Sequence, residues 1–235
     1  MPSSSELSIK ICGMRDPQNI EEVASLAPDM MGFIFYPPSK RYVGENFPQE
    51  LVLRLPSSIT RVGVVVNASI DEMLTIVEAY HLDVLQLHGD EKPDVLRALL
   101  QVYPSLRLWK AFGIKESSDL AACAQYVGLV EHMLFDTKTK GYGGSGRTFD
   151  WSLLQSYPQT LGLSEAANEP ESMHPSPGFL LSGGLGLDNL SEVIEFVEAT
   201  PHCVGVDVNS RVEISPGLKS VEQVKQLIHT LRGEA

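Results

Sequence analysis

Short apolar runs alternate with amphipathic stretches along this chain. Each run is rich in β-branched or other apolar residues and has the length of a single strand. The runs lie at 8–12, 30–35, 61–66, 83–87, 107–111, 132–135, 179–182 and 203–208. Their near-continuous apolar character is typical of parallel strands that are covered on both faces.

The stretches between the runs carry apolar residues at helical spacing. The clearest stripes fall within 19–26, 70–77 and 187–197. Asp71, Asp150 and Asp188 lie near predicted helix starts, where a carboxylate suits free backbone N–H groups. Strand followed by helix, about eight times, predicts an α/β protein with a single (β/α)8 TIM barrel over 1–235; a doubly wound open sheet is the alternative.

One segment, 164–177, interrupts this alternation. It holds three glutamates and three prolines and has few large apolar side chains. We expect a flexible polar insertion between the sixth helix and the seventh strand, on the amino-terminal face of the barrel.

Charge and cysteine content narrow the function classes. The formal net charge of −12 argues against nucleic acid or a membrane surface as the main partner, although a small anionic substrate stays compatible. Cys12, Cys123 and Cys203 are odd in number and widely spaced, which favours a reducing cytoplasm over a disulfide framework or a zinc site. We expect neither a signal peptide nor a membrane span.

Polar side chains follow the predicted strands at their carboxyl ends, where the catalytic groups of a barrel lie. They are Cys12 at the end of the first run, Arg41 after the second, Gln86 and His88 at the end of the fourth, Asp136 after the sixth, and Asp207, Asn209, Ser210 and Arg211 at the end of the eighth. The glycines Gly183 and Gly184 follow the seventh run. We expect these residues to converge on one rim.

Cys12 and Asp136 form a candidate proton-transfer pair on opposite sides of a bound ligand. A thiolate can remove an acidic C–H proton when nearby cations lower its pKa. A protonated carboxyl can donate to an oxygen. Two alternatives stay open here: Cys12 as a buried core residue, and Asp136 as a carboxylate that caps its own loop.

The glycine pair Gly183-Gly184 precedes a predicted helix near Asp188. Glycines there let backbone N–H groups approach an anion at a helix start, and barrels often hold a phosphate between the loops after strands seven and eight. The sequence therefore predicts a phosphorylated small-molecule ligand.

Six motifs occur in order between about residue 7 and residue 231. They are 10–13 (Lys-Ile-Cys-Gly), 32–37 with 39–42 (Ser-Lys-Arg-Tyr), 62–67, 86–91, 135–137 with 143–151, and 182–185 (Ser-Gly-Gly-Leu). Together they resemble the phosphoribosylanthranilate isomerase family of tryptophan biosynthesis.

The resemblance implies an Amadori rearrangement of N-(5-phosphoribosyl)anthranilate, an aminoaldose, to a 1-deoxyribulose 5-phosphate ketone, without metal or cofactor. It implies that Asp136 is the general acid for the furanose ring oxygen and that Cys12 is the general base for the C2 hydrogen. Arg41 matches the position expected to contact the anthranilate carboxylate.

The same resemblance assigns the remaining rim positions. Gly183 and Gly184 match one half of a phosphate site. The secondary candidates, which match motif positions lining the rim, are Gln86, His88 and Asp207. Lys10 belongs to the first motif, and we expect it to point away from Cys12 because strand neighbours alternate faces.

The chain departs from the family pattern after the eighth strand. Family members usually carry Asp-x-Ser-Ser-Gly-Val-Glu, whereas 207–213 reads Asp-Val-Asn-Ser-Arg-Val-Glu. Arg211 would be strained by about 1–2 kcal/mol if its position required a positive φ. We expect a re-formed turn in which Asn209, Ser210 and Arg211 bind the phosphate. Arg211 or Asn209 would supply a side-chain contact.

Two other functions compete with this one. A ketol-isomerase of histidine biosynthesis would call for paired aspartates rather than Cys12 with Asp136. A catalytically silent barrel would be favoured by the altered turn alone. The sequence allows either a monomer or a homodimer.

Overall fold

Eight parallel strands close into a barrel in the part of the chain that the structure, a computed structural model, describes: residues 7–138, 148–161 and 177–234. The strands are β1 Ser8–Ile11, β2 Met30–Ile34, β3 Thr60–Val65, β4 Val84–Leu87, β5 Arg107–Ile114, β6 His132–Thr137, β7 Gly178–Leu181 and β8 Cys203–Val208. β8 pairs in parallel with β1, so the sheet has no free edge and the doubly wound alternative is excluded. The predicted TIM barrel is confirmed.

Helices follow most of the strands on the outside of the barrel. They are α1 Pro17–Ala24, α2 Gln49–Leu53, α3 Ile70–Tyr80, α4 Pro93–Val102, α5 Tyr157–Thr160, α6 Leu190–Ala199 and α7 Val221–Arg232. The 3-10 helices are Ser117–Tyr126, Trp151–Ser156, Leu187–Asn189 and Ser210–Val212. After β8 the strands β9 Glu213–Ser215 and β10 Leu218–Lys219 form a small antiparallel pair.

Local sequence explains where these helices begin. Ser69 and Glu72 form a reciprocal capping box at the start of α3. Asp16 accepts from the backbone N–H of Asn19 and Pro17 follows it, which is a favourable start for α1. Asp150, predicted near a helix start, caps the 3-10 helix that follows it.

The interior of the barrel below its carboxyl end is filled. Buried side chains that point inward form one small cluster, and the much larger core lies between the strands and the helices. The inner cluster comprises Met30, Val62, Val84, Trp109, Ala111, Leu134 and Leu180. Because this floor is packed, ligands must enter from the carboxyl ends of the strands.

The predicted insertion at 164–177 lies outside the described residues except for its last position. Pro177 is buried, and its carbonyl accepts a hydrogen bond of 2.7 Å from Oη of Tyr157. None of the described helices is both long enough and apolar enough to cross a membrane.

Candidate active site

A pocket opens at the carboxyl ends of the strands, and we call it the mouth pocket. Ten of the eleven predicted site residues line it: Cys12, Arg41, Gln86, His88, Asp136, Gly183, Gly184, Asp207, Asn209 and Ser210. The rest of the lining comprises the apolar side chains of Ile34, Val64, Val66 and Leu185 together with Tyr36, Ser39 and Ser182. The structure therefore brings nearly all of the predicted rim residues together.

Cys12 lies directly after β1 and is buried. Its backbone N–H donates to the carbonyl of Val208 at 2.9 Å, which ties it to β8. Gly13 has a φ of +75°, and a Cβ there would lie 2.7 Å from Oδ1 of Asn209 and 2.8 Å from Cδ of Arg41. Only glycine allows this close approach of two pocket side chains to the turn after β1.

Lys10 does not point away from Cys12, and that expectation is wrong. Strand side chains repeat with a period of two, so residues 10 and 12 share a face. A Cβ at Gly32 would lie 2.7 Å from Sγ of Cys12 and 3.2 Å from Cε of Lys10, so the two side chains occupy neighbouring space. Nζ of Lys10 donates to Oδ1 of Asp207 at 2.7 Å, and both residues are buried.

The thiol of Cys12 experiences two opposed effects. Burial raises its pKa, whereas the charge of Lys10 and a hydrogen bond from it lower the pKa; the net direction is upward. Lys10 and, to a smaller extent, Lys219 are thus the cations that favour the thiolate, whereas Asp207 disfavours it. The same proximity, together with Asp207, holds the pKa of Lys10 above its ordinary value although burial lowers it.

Asp136 lies near the end of β6 and combines the two roles that the sequence left open. Oδ1 accepts from the backbone N–H of Thr137 at 2.7 Å, so the carboxylate does cap its own loop. Burial raises its pKa to about 6, and the negative charge of Asp207 adds to this effect. A carboxyl with that pKa is a competent proton donor near neutral pH.

His88 faces Asp136 from β4. Its Nε2 lies 3.7 Å from Oδ2 of Asp136, and its Nδ1 lies 3.0 Å from Nε2 of Gln86. Burial, followed by the charges of Lys110 and Lys10, lowers the pKa of His88 to about 3, so the ring is neutral. With the amide nitrogen of Gln86 directed at Nδ1, we assign the ring hydrogen to Nε2, on the side of Asp136.

The loop after β7 has the backbone that the glycine pair predicts. Gly183 and Gly184 have φ values of +89° and +68°. A Cβ at Gly183 would lie 2.8 Å from Oδ1 of Asp136, so a larger residue would displace the carboxylate. Asn189 fixes the loop by accepting from N of Gly186 at 2.9 Å and donating to O of Gly184 at 3.1 Å.

Arg211 is the predicted site residue that does not line the mouth pocket. Its side chain is partly exposed and forms an ion pair with Asp188. Among the described residues other than glycine, those with positive φ are Ala27, Asn67 and His81. Arg211 therefore carries no positive-φ strain, because the altered turn folds as the 3-10 helix Ser210–Val212.

Arg41 reaches the mouth pocket from the loop after β2, and its guanidinium pairs with Glu213. Sequence reasoning missed Glu213, Lys219 and the orientation of Lys10. Correct counting of strand periodicity would have placed Lys10, but the Arg41–Glu213 pair joins residues 172 positions apart and has no local signal. Within the described residues, no group of three or more His, Cys, Asp or Glu side chains could hold a metal ion.

Comparison with known proteins identifies the family. Residues 9–230 match the family model for N-(5'phosphoribosyl)anthranilate (PRA) isomerase. The N-(5'-phosphoribosyl)anthranilate isomerase of Parabacteroides distasonis is 41% identical over 225 residues, which cover 95% of this chain and 92% of that protein. The chain belongs to the PRA isomerase family. The PRA isomerase of Phocaeicola vulgatus is 38% identical, with coverage of 95% of this chain and 97% of that protein.

Solved PRA isomerase structures share the whole fold. The enzyme from Thermotoga maritima superimposes with a TM-score of 0.80 at 31% identity, covering 97% of this chain and 99% of that chain. A PRA isomerase in complex with reduced 1-(o-carboxyphenylamino)-1-deoxyribulose 5-phosphate gives a TM-score of 0.77 at 28% identity, with coverage of 97% and 99%. These likenesses confirm the expected isomerase on a TIM barrel, and they disfavour the ketol-isomerase alternative.

Proposed function

We propose that the protein catalyses the Amadori rearrangement of N-(5'-phosphoribosyl)anthranilate to 1-(2-carboxyphenylamino)-1-deoxyribulose 5-phosphate in tryptophan biosynthesis. The observation that carries this proposal is the pairing, in one pocket, of a carboxyl whose pKa is raised to about 6 with a thiol beside a buried lysine. The first group suits proton donation and the second suits proton removal.

Asp136 opens the furanose ring. Its proton goes to the ring oxygen as the C1–O bond breaks, and the nitrogen lone pair forms a C1=N bond. The Nε2–H of His88 faces the carboxylate that Asp136 becomes, and the N–H of Thr137 donates to it. Both groups stabilise the charge that develops in this step.

Cys12 removes the C2 hydrogen of the resulting Schiff base. The C–H electron pair forms C1=C2, and the C1=N electrons return to nitrogen, which gives an enolamine. Loss of the O2 hydrogen with protonation of C1 then yields the ketone. The charge of Lys10 favours the thiolate that accepts the proton. These steps balance without an oxidant, a reductant or a metal ion.

The rest of the mouth pocket binds and orients the substrate. Arg41 is placed for the anthranilate carboxylate, because a guanidinium matches the planar geometry of that group. The phosphate is held by the loop of Gly183 and Gly184 together with Asn209 and Ser210, and Arg211 adds its side chain by exchanging its ion pair with Asp188 for the phosphate. Gln86, His88 and Asp207 contact the substrate from the rim, and Ile34, Val64 and Leu185 cover the aromatic ring. We place the protein in the cytoplasm as a monomer or homodimer.

Direct assay tests the proposal. Turnover of N-(5'-phosphoribosyl)anthranilate is followed by loss of its fluorescence in the wild type, Cys12→Ser and Asp136→Asn. Because each proton transfer contributes a factor of about 10²–10⁴, each substitution lowers kcat by at least about 10²-fold. Full activity in both variants would discard the mechanism, and an inactive wild type would favour the silent barrel.

Matched substitutions control for nonspecific damage. Cys203→Ser changes a buried cysteine that opens β8, at the end of the strand away from the pocket. Asp94→Asn changes an exposed carboxylate in the first turn of α4. We expect both controls to keep kcat and KM close to the wild-type values.

A further inference from the structure

Two charged residues lie behind Arg41 without lining the mouth pocket. Glu213 opens β9 and Lys219 closes β10, so both belong to the antiparallel pair after β8. The side chains are 5% and 0% exposed. Burial of a charged side chain costs free energy unless the charge is paired and hydrogen-bonded. The contacts of Glu213 and Lys219 therefore show which groups balance their charges.

Glu213 holds the guanidinium of Arg41 along one edge. Nε of Arg41 lies 2.9 Å and 3.1 Å from the two carboxylate oxygens, and Nη2 lies 2.6 Å from Oε2. This side-on pairing uses the Nε–Nη2 edge. Nη2 carries a second hydrogen, which forms the other edge together with Nη1. That edge keeps the fork geometry that binds a second carboxylate.

Lys219 neutralises Glu213 from the other side. Its Nζ lies 2.7 Å from Oε1 of Glu213, 2.7 Å from Oδ1 of Asn209 and 3.1 Å from O of Asn209. Burial lowers the pKa of Lys219 to about 8, and Glu213 acts in the opposite direction. Burial also raises the pKa of Glu213, but Arg41 and Lys219 bring it below its ordinary value.

The backbone of Lys219 is fixed as firmly as its ammonium group. Its N–H donates to Oδ1 of Asn19 at 2.7 Å, and its carbonyl accepts from Nδ2 of Asn19 at 2.9 Å. The N–H of Gly217 adds a third donor to Oε1 of Glu213 at 3.0 Å. The triad of Arg41, Glu213 and Lys219 is therefore a rigid unit with one net positive charge, and only Arg41 presents that charge to the pocket.

We propose that Glu213 and Lys219 are positioning residues for recognition of the substrate carboxylate. Glu213 orients the guanidinium of Arg41, and Lys219 cancels the charge of Glu213 so that Arg41 stays available to an anion. Without Lys219, the negative charge of Glu213 would offset that of Arg41 and repel an incoming carboxylate. This inference rests on the proposed function, which gives Arg41 its ligand.

A pair of ligands tests the inference by binding, independently of turnover. One is reduced 1-(o-carboxyphenylamino)-1-deoxyribulose 5-phosphate, and the other is the same compound without the carboxylate. Dissociation constants are measured by titration calorimetry for the wild type, Lys219→Met, Glu213→Gln and the double variant. Lys225→Met removes a positive charge from the exposed face of α7 and serves as the matched control.

The expected result is selective for the carboxylate. Lys219→Met weakens binding of the carboxylated ligand by about tenfold or more and changes binding of the other ligand by less than about twofold. Glu213→Gln shows the same selectivity, because Arg41 loses its oriented pairing. The double variant binds the carboxylated ligand better than Lys219→Met does, because the uncompensated carboxylate is gone.

Equal weakening of both ligands in Lys219→Met and Glu213→Gln would show a merely structural role and would overturn the inference. Unchanged binding in these variants would overturn it as well. If Lys219→Met fails to fold, Glu213→Gln alone decides the outcome by the same comparison. A wild type that binds neither ligand would contradict the proposed function itself, so the two failures are distinguishable.

Discussion

Nζ of Lys10 lies 2.7 Å from Oδ1 of Asp207, and the two residues are also register partners across β1 and β8. A buried ion pair contributes little net stability, because desolvation of the charges offsets their attraction. Its position beside the thiol of Cys12 has a second consequence: Asp207 helps to hold the pKa of Lys10 above its ordinary value, and the charge of Lys10 opposes the rise that burial and Asp207 impose on the pKa of Cys12.

Lys10→Met tests this role through the reactivity of Cys12. The pH at which alkylation by iodoacetamide reaches half its maximal rate moves upward by about one unit or more, because the thiolate loses its neighbouring cation. The rate is followed by mass spectrometry of the peptide that contains Cys12. Lys10→Arg, which keeps the charge, stays closer to the wild type; an identical profile in wild type and Lys10→Met would refute the role.

Asp136→Asn should stabilise the fold at alkaline pH although it removes the proposed general acid. The folded-state pKa of about 6 exceeds the ordinary value of 3.8, so the folded protein binds the extra proton and loses stability as pH rises from about 4 to about 6. The shift corresponds to about 3 kcal/mol. In urea unfolding, the free energy of unfolding of the variant should increase relative to that of the wild type between pH 4 and pH 7. A difference between the two free energies that stays constant with pH would contradict the raised pKa.

Gly32→Ala should damage catalysis more than stability. The new Cβ would lie 2.7 Å from Sγ and 3.2 Å from Cα of Cys12, so this thiol, the proposed base, must move, and a displacement of about 1 Å can cost about 10²-fold in rate. Gly63→Ala, on the neighbouring strand, instead contacts Leu82. We expect it to lower stability by about 1–3 kcal/mol and to preserve kcat/KM. Steady-state kinetics and urea unfolding of both variants check this contrast.

Arg211→Ala tests the side-chain contact to phosphate. KM for the phosphorylated substrate should rise by about tenfold, whereas kcat should change much less. A contact that is made equally in the bound ground state and in the transition state affects KM alone. Asp188→Asn releases Arg211 from its ion pair and should lower KM or leave it unchanged. An unchanged KM in Arg211→Ala would show that backbone groups and Asn209 hold the phosphate without it.

The strands were predictable because burial on both faces leaves a continuous apolar signal. Even so, β5 continues past its predicted end to Ile114, where Gly113 interrupts the apolar run, and β6 continues to Thr137 through polar residues. The helix after β5 was less predictable in kind: Ser117–Tyr126 is a 3-10 helix. Rim residues such as Cys12 and Asp136 were predictable because each lies at the carboxyl end of its apolar run.

Pairings between distant residues were not predictable in the same way. Nothing near Arg41 in the chain indicates that its partner is Glu213, because the contact exists only after the loop following β2 meets the segment following β8. Arg211 was expected at the phosphate, but the structure pairs it with Asp188 outside the pocket lining. The balance between burial and the charge of Lys10 at Cys12 likewise depends on three-dimensional packing.

Because β1 and β8 close the barrel, the contacts around Cys12 form late in folding. Lys10 and Asp207 are 197 residues apart, and Cys12 finds the carbonyl of Val208 only when the last strand docks on the first. Contacts of such sequence separation form late, after most loop-closure entropy has been lost. A nascent chain therefore carries Cys12 without the Lys10–Asp207 ion pair beside it, and this neighbourhood is complete only once the last strand has docked.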